Sequence, residues 1–377
     1  MSDAFRELLR KVGSGTHTGK DLSRSEAKDA LQMMLLQEAT PAQIGAFLIA
    51  HRIKRPTGEE LAGMLDAYDQ LGPKLQPISS PRLVTILGSP YDGRSRTAPI
   101  SPLTALILTA AGCPVIMHGG DRMPTKEGVP LIDIWQGLGV DWATLSLTQV
   151  QQVFETTLLG FVYLPQHFPL AHGLVPYRSQ IGKRPPLATM ELMWSPYQGN
   201  AHIVSGFVHP PTETMFQDAF KLRKQTCFTT VKGLEGSCDL PRERTAIIGI
   251  AGLAEVDWQT APLKAVATLP FERLQLTPRD YDLAGKDVPL DSTTQLVEQM
   301  QAVLQGKSSE LMQSAVWNGG FYLWRCGVCK DIKSGLTEAE TLLTNGQVAQ
   351  KLQEISKAVT SAQPNPQVEG HPSYGSR

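Results

Sequence analysis

The stretch that decides the fold is Leu22–Met64, LSRSEAKDALQMMLLQEATPAQIGAFLIAHRIKRPTGEELAGM. It holds three helix starts of one kind. Ser23 with Glu26, Thr40 with Gln43 and Thr57 with Glu60 have the spacing of a capping box, in which each side chain satisfies the other residue's free backbone N–H. Pro41 falls at a first helical position, where a missing N–H costs nothing. Behind each box apolar residues return at helical spacing. They are Ala27, Ala30, Leu31, Met34 and Leu35, then Ile44, Phe47, Leu48 and Ile53, then Leu61, Met64, Leu65 and Tyr68. Capped helices with no strand between them predict a small α-helical domain over residues 1–72.

A Pro-rich connector, GPKLQPISSPR (72–82), closes that unit, and the pattern changes after it. Short apolar runs read as strands at 83–87, 115–117, 161–164, 202–208, 227–231 and 245–250, with helical stretches between several of them. A helix opens at Ser101-Pro102, and residues 291–359 are helical again. Alternating strands and helices predict an α/β domain over 81–359 built on a mostly parallel sheet. The tail 361–377, rich in Pro, Gly and polar residues, is expected to be disordered.

Lys plus Arg total 35 against 36 Asp plus Glu, so the net charge of -1 excludes a whole-protein basic field and leaves only a local patch open. No apolar run is long enough to span a bilayer. The opening MSDAFRELLRKVG carries charges where a signal peptide needs an apolar core, so the expected location is the cytoplasm. Five cysteines in 377 residues do not make a disulfide framework. Cys326 and Cys329 form a CxxC without the second pair or nearby histidines of a zinc site, and read as free thiols near a helix end.

Taken together, Leu22–Met64 and the stretch 318–355, NGGFYLWRCGVCKDIKSGLTEAETLLTNGQVAQKLQEI, resemble the opening and closing helices of the anthranilate phosphoribosyltransferase family, glycosyltransferase family 3. The resemblance runs from about Leu8 to about Ile355. It implies a helical domain joined to an α/β domain, with helices around 167–194 returning to the small domain, and a homodimer formed through that domain. The family's reaction displaces pyrophosphate from phosphoribosyl pyrophosphate with an aromatic amine. It needs loop N–H groups and Mg²⁺ for the phosphates and an ordered acceptor beside the sugar.

The family's motifs are present here in altered form. Its phosphate loop Gly-Thr-Gly-Gly-Asp-Gly corresponds to Gly88-Ser89-Pro90-Tyr91-Asp92-Gly93. Gly88, Asp92 and Gly93 are kept, but Pro90 has no N–H to donate and Tyr91 adds bulk where glycine admits a phosphate. The family's Asn-x-Ser-Thr has become Pro99-Ile-Ser101-Pro102, where Ser101 is either a phosphate contact or a helix cap. Lys-His-Gly-Asn-Arg has become Met117-His118-Gly119-Gly120-Asp121-Arg122. His118 reads as an anion ligand or a structural histidine, and Gly119 keeps the turn. His167 and Arg178, in FVYLPQHFPLAHGLVPYRSQIGKRPP (161–186), match the acceptor-side histidine and arginine, with Gly182 and Arg184 following. The family's metal-binding Asp-Glu corresponds to Cys238-Asp239, leaving Glu235 and Asp239 as candidate Mg²⁺ ligands. A thiol is a poor partner for this hard ion.

These changes remove ligands for phosphate and metal, while arginines stand nearby at 94, 96, 242 and 244, with a further basic cluster at Lys221, Arg223 and Lys224. Two functions follow. One is a phosphoribosyltransferase-like protein that holds a phosphorylated small molecule between its domains, a pentosyltransferase if active. The other is a non-catalytic protein that binds single-stranded nucleic acid, as reported for a divergent branch of this family. The ligand-site expectation common to both is Gly88, Asp92, Gly93, Arg94, Ser101, His118, Gly119, His167 and Arg178.

Overall fold

The computed structural model describes residues 3–15, 18–252 and 270–363. Four helices come first: α1 (Asp3–Gly13), α2 (Arg24–Leu35), α3 (Pro41–Lys54) and α4 (Gly58–Leu71). All three capping boxes are formed with both reciprocal bonds. The boxed glutamate of α4 also serves the bundle's interior, because Glu60 accepts a hydrogen bond from the Leu22 N–H at 2.9 Å and one from Lys54 Nζ at the same distance. No strand precedes Val84 among the described residues.

The larger domain is a seven-stranded sheet in the order β3-β2-β1-β4-β5-β6-β7. Its strands are β1 (Val84–Leu87), β2 (Val115–Gly119), β3 (Leu159–Tyr163), β4 (Ala201–Gly206), β5 (Phe228–Val231), β6 (Ala246–Ala251) and β7 (Glu272–Leu276). The first five lie parallel, while β6 and β7 pair antiparallel. Ile86 stands in register with Ile116 on one side and Ile203 on the other. Strands buried on both faces need helices on both faces. Helix α5 (Ser101–Ala110), α6 (Leu131–Gly137), α7 (Leu147–Thr157), α12 (Pro210–Leu222) and four C-terminal helices, Thr293–Leu304, Glu310–Arg325, Ile332–Thr344 and Gln347–Ala362, belong to this domain.

Three sequence expectations change. Strand β7 was missed because its residues, Glu-Arg-Leu-Gln-Leu, are mostly exposed at the sheet edge and carry no apolar run. Ser101 is the first residue inside α5, not its cap; Ile100 holds the cap position and no side chain of its own caps the helix. Residues 361 and 362 belong to the last helix, and 364–377, the rest of the expected disordered tail, lie outside the described residues. No helix of the described residues is long and apolar enough to cross a membrane.

The chain between β3 and β4 carries the short helices α8 (Leu164–His167), α9 (Pro169–His172), α10 (Val175–Ile181) and α11 (Leu187–Met190) back to the bundle. Tyr68 of α4 meets Phe168 edge-on at 4.9 Å and Trp194 at 5.5 Å between centroids. On the other side of the bundle α4 lies on α12. Arg223 pairs with Asp66 and Asp69, and Arg24 donates to the Leu222 carbonyl at 2.9 Å. The approach at this seam is so close that a Cβ on Gly58 would stand 2.4 Å from the Asp218 Cβ and 3.0 Å from the Met215 carbonyl oxygen. Gly58→Ala is therefore expected to lower stability by about 1–3 kcal/mol through overpacking. An unchanged midpoint in urea denaturation would show that the seam is looser than described.

Candidate functional site

The loop from β1 to α5 lies where a phosphate loop would be, and the chain fills it with its own groups. Gly88 donates to the Val204 carbonyl at 2.9 Å, and a Cβ there would meet the Leu192 oxygen at 2.4 Å. Gly93, at φ +75, closes a turn on the Pro90 carbonyl at 3.0 Å and packs on Gly128. Both glycines are thus required by backbone packing. Tyr91 is buried, with its Oη 2.5 Å from His118 Nδ1 at the end of β2. The His118 ring in turn meets Trp194 at 5.2 Å. Burial pulls the His118 imidazole down to about 3, so it is neutral at physiological pH and offers no charge to an anion. Gly119 continues β2 in register with Tyr163.

Arg94, expected as a ligand-binding group, is only 3% exposed and is bonded on all sides by the chain itself. Its Nη1 donates to Asp239 Oδ2 and to Ser237 Oγ, each at 2.7 Å. Its Nε donates to Glu235 Oε1 at 3.3 Å, and Nη2 to Thr97 Oγ1 and to the Ala98 carbonyl. Glu235 also accepts from the backbone N–H of Ser95 at 3.3 Å and of Arg96 and Thr97 at 3.0 Å. Burial alone would raise its carboxyl, but those N–H groups and the Arg94 charge prevail and hold it at about 2. Asp239 Oδ2 accepts from the Ile100 N–H at 2.9 Å, so the positive start of α5 is met by a carboxylate of the chain itself.

This donor set does not fit Mg²⁺. Both candidate carboxylates face a guanidinium, and burial pushes the Cys238 thiol well up, leaving it protonated and uncoordinating. Among the described residues no three His, Cys, Asp or Glu side chains converge as a metal site.

The other expected ligands point inward too. Arg178 is buried in an ion pair with Glu191. His167 accepts from the Tyr163 N–H at 2.9 Å and donates to the Leu145 carbonyl at 2.8 Å, tying α8 to the sheet. Arg242 is buried against Glu310 and the Leu283 carbonyl. Arg94, Arg178 and Arg242 therefore do not form one basic groove. Asp92 is buried with neither carboxylate oxygen hydrogen-bonded among the described residues, and its nearest cation, Arg184 Nη2, is 3.9 Å away.

What remains open is a cleft of about 790 Å³ further out between the domains. Arg52, Ile53 and Arg55 line it from the end of α3, Arg184 to Pro186 and Thr189 from the returning segment, and Gly206 to Thr212 with Gly236 from the sheet side. Arg52 Nη1 donates to the Arg184 carbonyl at 2.6 Å, so the two walls touch at the lip. Lys126, 3.6 Å from Glu235, and the exposed Arg96, 3.8 Å from it, stand beside the inner carboxylate and not among the cleft's lining residues. Of these residues the sequence points to Arg96 and Arg184 as basic groups, and it places Ile53 on the apolar face of α3, whereas the structure leaves Ile53 66% exposed beyond the buried face. The missed signal was the run His-Arg-Ile-Lys-Arg at 51–55, a basic helix end with an exposed isoleucine at its centre.

A helical bundle closing on an α/β sheet over an interdomain cleft defines a class of glycosyl-transferring scaffold. The chain belongs to the glycosyl transferase family, with residues 6–72 matching its helical bundle domain and 84–349 its α/β domain. Among curated relatives, an anthranilate phosphoribosyltransferase of Afipia carboxidovorans is 27% identical over 356 residues, 94% of this chain and 98% of its own. Among solved structures, anthranilate phosphoribosyltransferase from Thermus thermophilus superposes with a TM-score of 0.76 at 19% identity, covering 95% of this chain and 100% of that one. The Saccharomyces cerevisiae enzyme in complex with PRPP and Mg gives 0.77 at 17%, covering 96% and 99%.

Removing the guanidinium by Arg94→Ala takes from the buried Asp239 its cation and from Glu235 its buried one, and is expected to cost about 3–5 kcal/mol in chemical denaturation. A loss below about 1 kcal/mol would place the pair in the class of exposed ion pairs. Because the folded-state value of Glu235 lies below its ordinary 4.5, its ionised form stabilises the fold fully above that pH, and the contribution disappears as pH falls towards 2. The stability gap between wild type and Glu235→Gln is therefore expected to close over that window. A gap that does not change with pH would refute the assignment.

Proposed function

We propose that this chain is an anthranilate phosphoribosyltransferase-like binding protein that holds a phosphorylated ligand in the outer interdomain cleft and has lost efficient phosphoribosyl transfer. The observation that carries this reading is the filling of the inner site. Tyr91 against His118, and Arg94 between Glu235 and Asp239, occupy the places where the family resemblance puts phosphate and metal. Transfer requires both substrates to be held within contact distance in a productive orientation. Binding requires only the arginines that remain. Arg52, Arg55 and Arg184 present planar donors suited to phosphate oxygens, and Pro185, Pro186 and Phe207 supply an apolar wall for a base or ring.

Single-stranded nucleic acid is the second reading, favoured by the openness of the lip. Ile53 is 66% and Val208 46% exposed beside the arginines. A strand would track the positive rim with its phosphates and rest bases on such surfaces. A dimer joined through the helical bundle is also proposed. Leu36 is exposed there beside Leu8 and Met33, and light scattering of a Leu36→Lys variant tests it.

Two measurements check the main reading. Purified protein with anthranilate, phosphoribosyl pyrophosphate and Mg²⁺ is expected to show no appreciable loss of anthranilate fluorescence. Turnover near an ordinary enzyme rate of about 10 s⁻¹ would sink the proposal. Arg52→Ala combined with Arg184→Ala is expected to weaken ligand binding at least roughly tenfold, since each charge-assisted bond contributes about 1.5–3 kcal/mol. With inorganic pyrophosphate as probe the salt dependence is shallow. With an oligonucleotide it is steep, and the double variant flattens it. Equal binding by wild type and the double variant in both titrations would remove the cleft from consideration.

A further inference from the structure

The oxygens around Arg94 form a shell that is complete in itself. A guanidinium has five N–H donors. Here they meet Glu235 Oε1, Ser237 Oγ, Asp239 Oδ2, Thr97 Oγ1 and the Ala98 carbonyl. No donor is left over, and no carboxylate in the shell lacks a cation. Two carboxylates, two hydroxyls and a backbone carbonyl are also the ligand types that hold a hard divalent ion.

We infer that Arg94 is a built-in cation in a latent divalent-ion site, and that its bound guanidinium is what keeps Mg²⁺, Mn²⁺ and Ca²⁺ from the oxygens there. The argument rests on shape and charge. Glu235 and Asp239 are fixed independently of the guanidinium. Backbone N–H groups of residues 95–97 hold the first, and the Ile100 N–H holds the second at the start of α5. Ser237 is anchored by its own bond to the Leu234 carbonyl at 2.8 Å. The oxygens would therefore stay near their places if the guanidinium were removed. Among the described residues, Asp239 would then be left without a cation and Glu235 would face only Lys126 at 3.6 Å and Arg96 at 3.8 Å. A guanidinium is wider than Mg²⁺, which demands near-ideal octahedral geometry at short distances. Ca²⁺ tolerates more ligands, longer distances and irregular geometry, so the vacated shell suits Ca²⁺ best and Mn²⁺ as a spectroscopic probe. A lysine at the same position would keep the charge but present a single point of contact in place of the fork.

The test compares full-length wild type, Arg94→Ala, Arg94→Lys and Arg94→Ala with Asp239→Asn. It reads thermal unfolding with and without millimolar CaCl₂, and the paramagnetic resonance signal of free Mn²⁺ during titration. Wild type is expected to leave the Mn²⁺ signal and its own Tm unchanged, and to be indifferent to chelator. Arg94→Ala is expected to melt lower, to recover several degrees of Tm saturably with Ca²⁺, and to bind a single Mn²⁺. Adding Asp239→Asn is expected to abolish both effects, and Arg94→Lys is expected to fold without taking up the ion. If Arg94→Ala does not fold in NaCl, it is refolded from denaturant in CaCl₂, where recovery of native fluorescence supports the inference and failure overturns it. A wild type that takes up Mn²⁺ in a manner lost with Asp239→Asn would overturn it, as would a folded Arg94→Ala indifferent to both ions. None of these readouts depends on whether the outer cleft binds its ligand.

Discussion

A charged guanidinium taken out of water must find partners for all its donors, and that requirement at Arg94 organises the centre of this molecule. Desolvating a cation is expensive, and a buried pair holds only when geometry and additional hydrogen bonds compensate. The compensation comes from chain segments far apart in sequence, the turn after the first loop of the sheet and the loop after β5. Fixing them to each other sets where α5 begins, because Asp239 reaches both the guanidinium and the first free N–H of that helix. The loop that could have closed on a phosphate is thereby fastened to its neighbour.

The second constraint is the aromatic line that runs from the helical bundle to the same loop. Tyr68, Trp194, His118 and Tyr91 follow one another in tilted or edge-on contact at centroid distances between 5.2 and 5.5 Å. Such contacts are directional and tightly packed, so the bundle sits at a defined angle on the sheet. Between these two fixtures the interior of the interdomain space is closed. A cleft of about 790 Å³ survives at the lip, where α3 ends and Arg184 leaves the returning segment.

The fold was readable from the sequence because its signals are local. Capping boxes at Ser23, Thr40 and Thr57 act within four residues, and the apolar runs of the inner strands identify a sheet covered on both faces. Edge strand β7 was not readable, since its stability comes from pairing with β6 and not from its own composition. The site was readable only as a set of departures. The sequence showed that Pro90, Tyr91, Met117 and Cys238 could not do what the family motifs do. It could not show that Arg94 turns inward, because that depends on Glu235 and Asp239, more than a hundred positions away, arriving beside it. Charge along a chain does not reveal which charges face water. The arginines at 94, 178 and 242 looked like a surface and are interior, whereas Arg52 and Arg55, hidden in a strongly helical stretch, face the cleft.

The alignment of Cys238 with a carboxylate of the family motif, together with the inward Arg94, gives the site a directionality in mutational time. An acidic residue at 238 while Arg94 is present would add a third carboxylate to the buried pair of Glu235 and Asp239. A lineage losing Arg94 first would take from Asp239 its one cation among the described residues and from Glu235 its buried one. Each single step is therefore expected to descend in stability. The two positions are coupled, so the effect of a change at one depends on the residue present at the other.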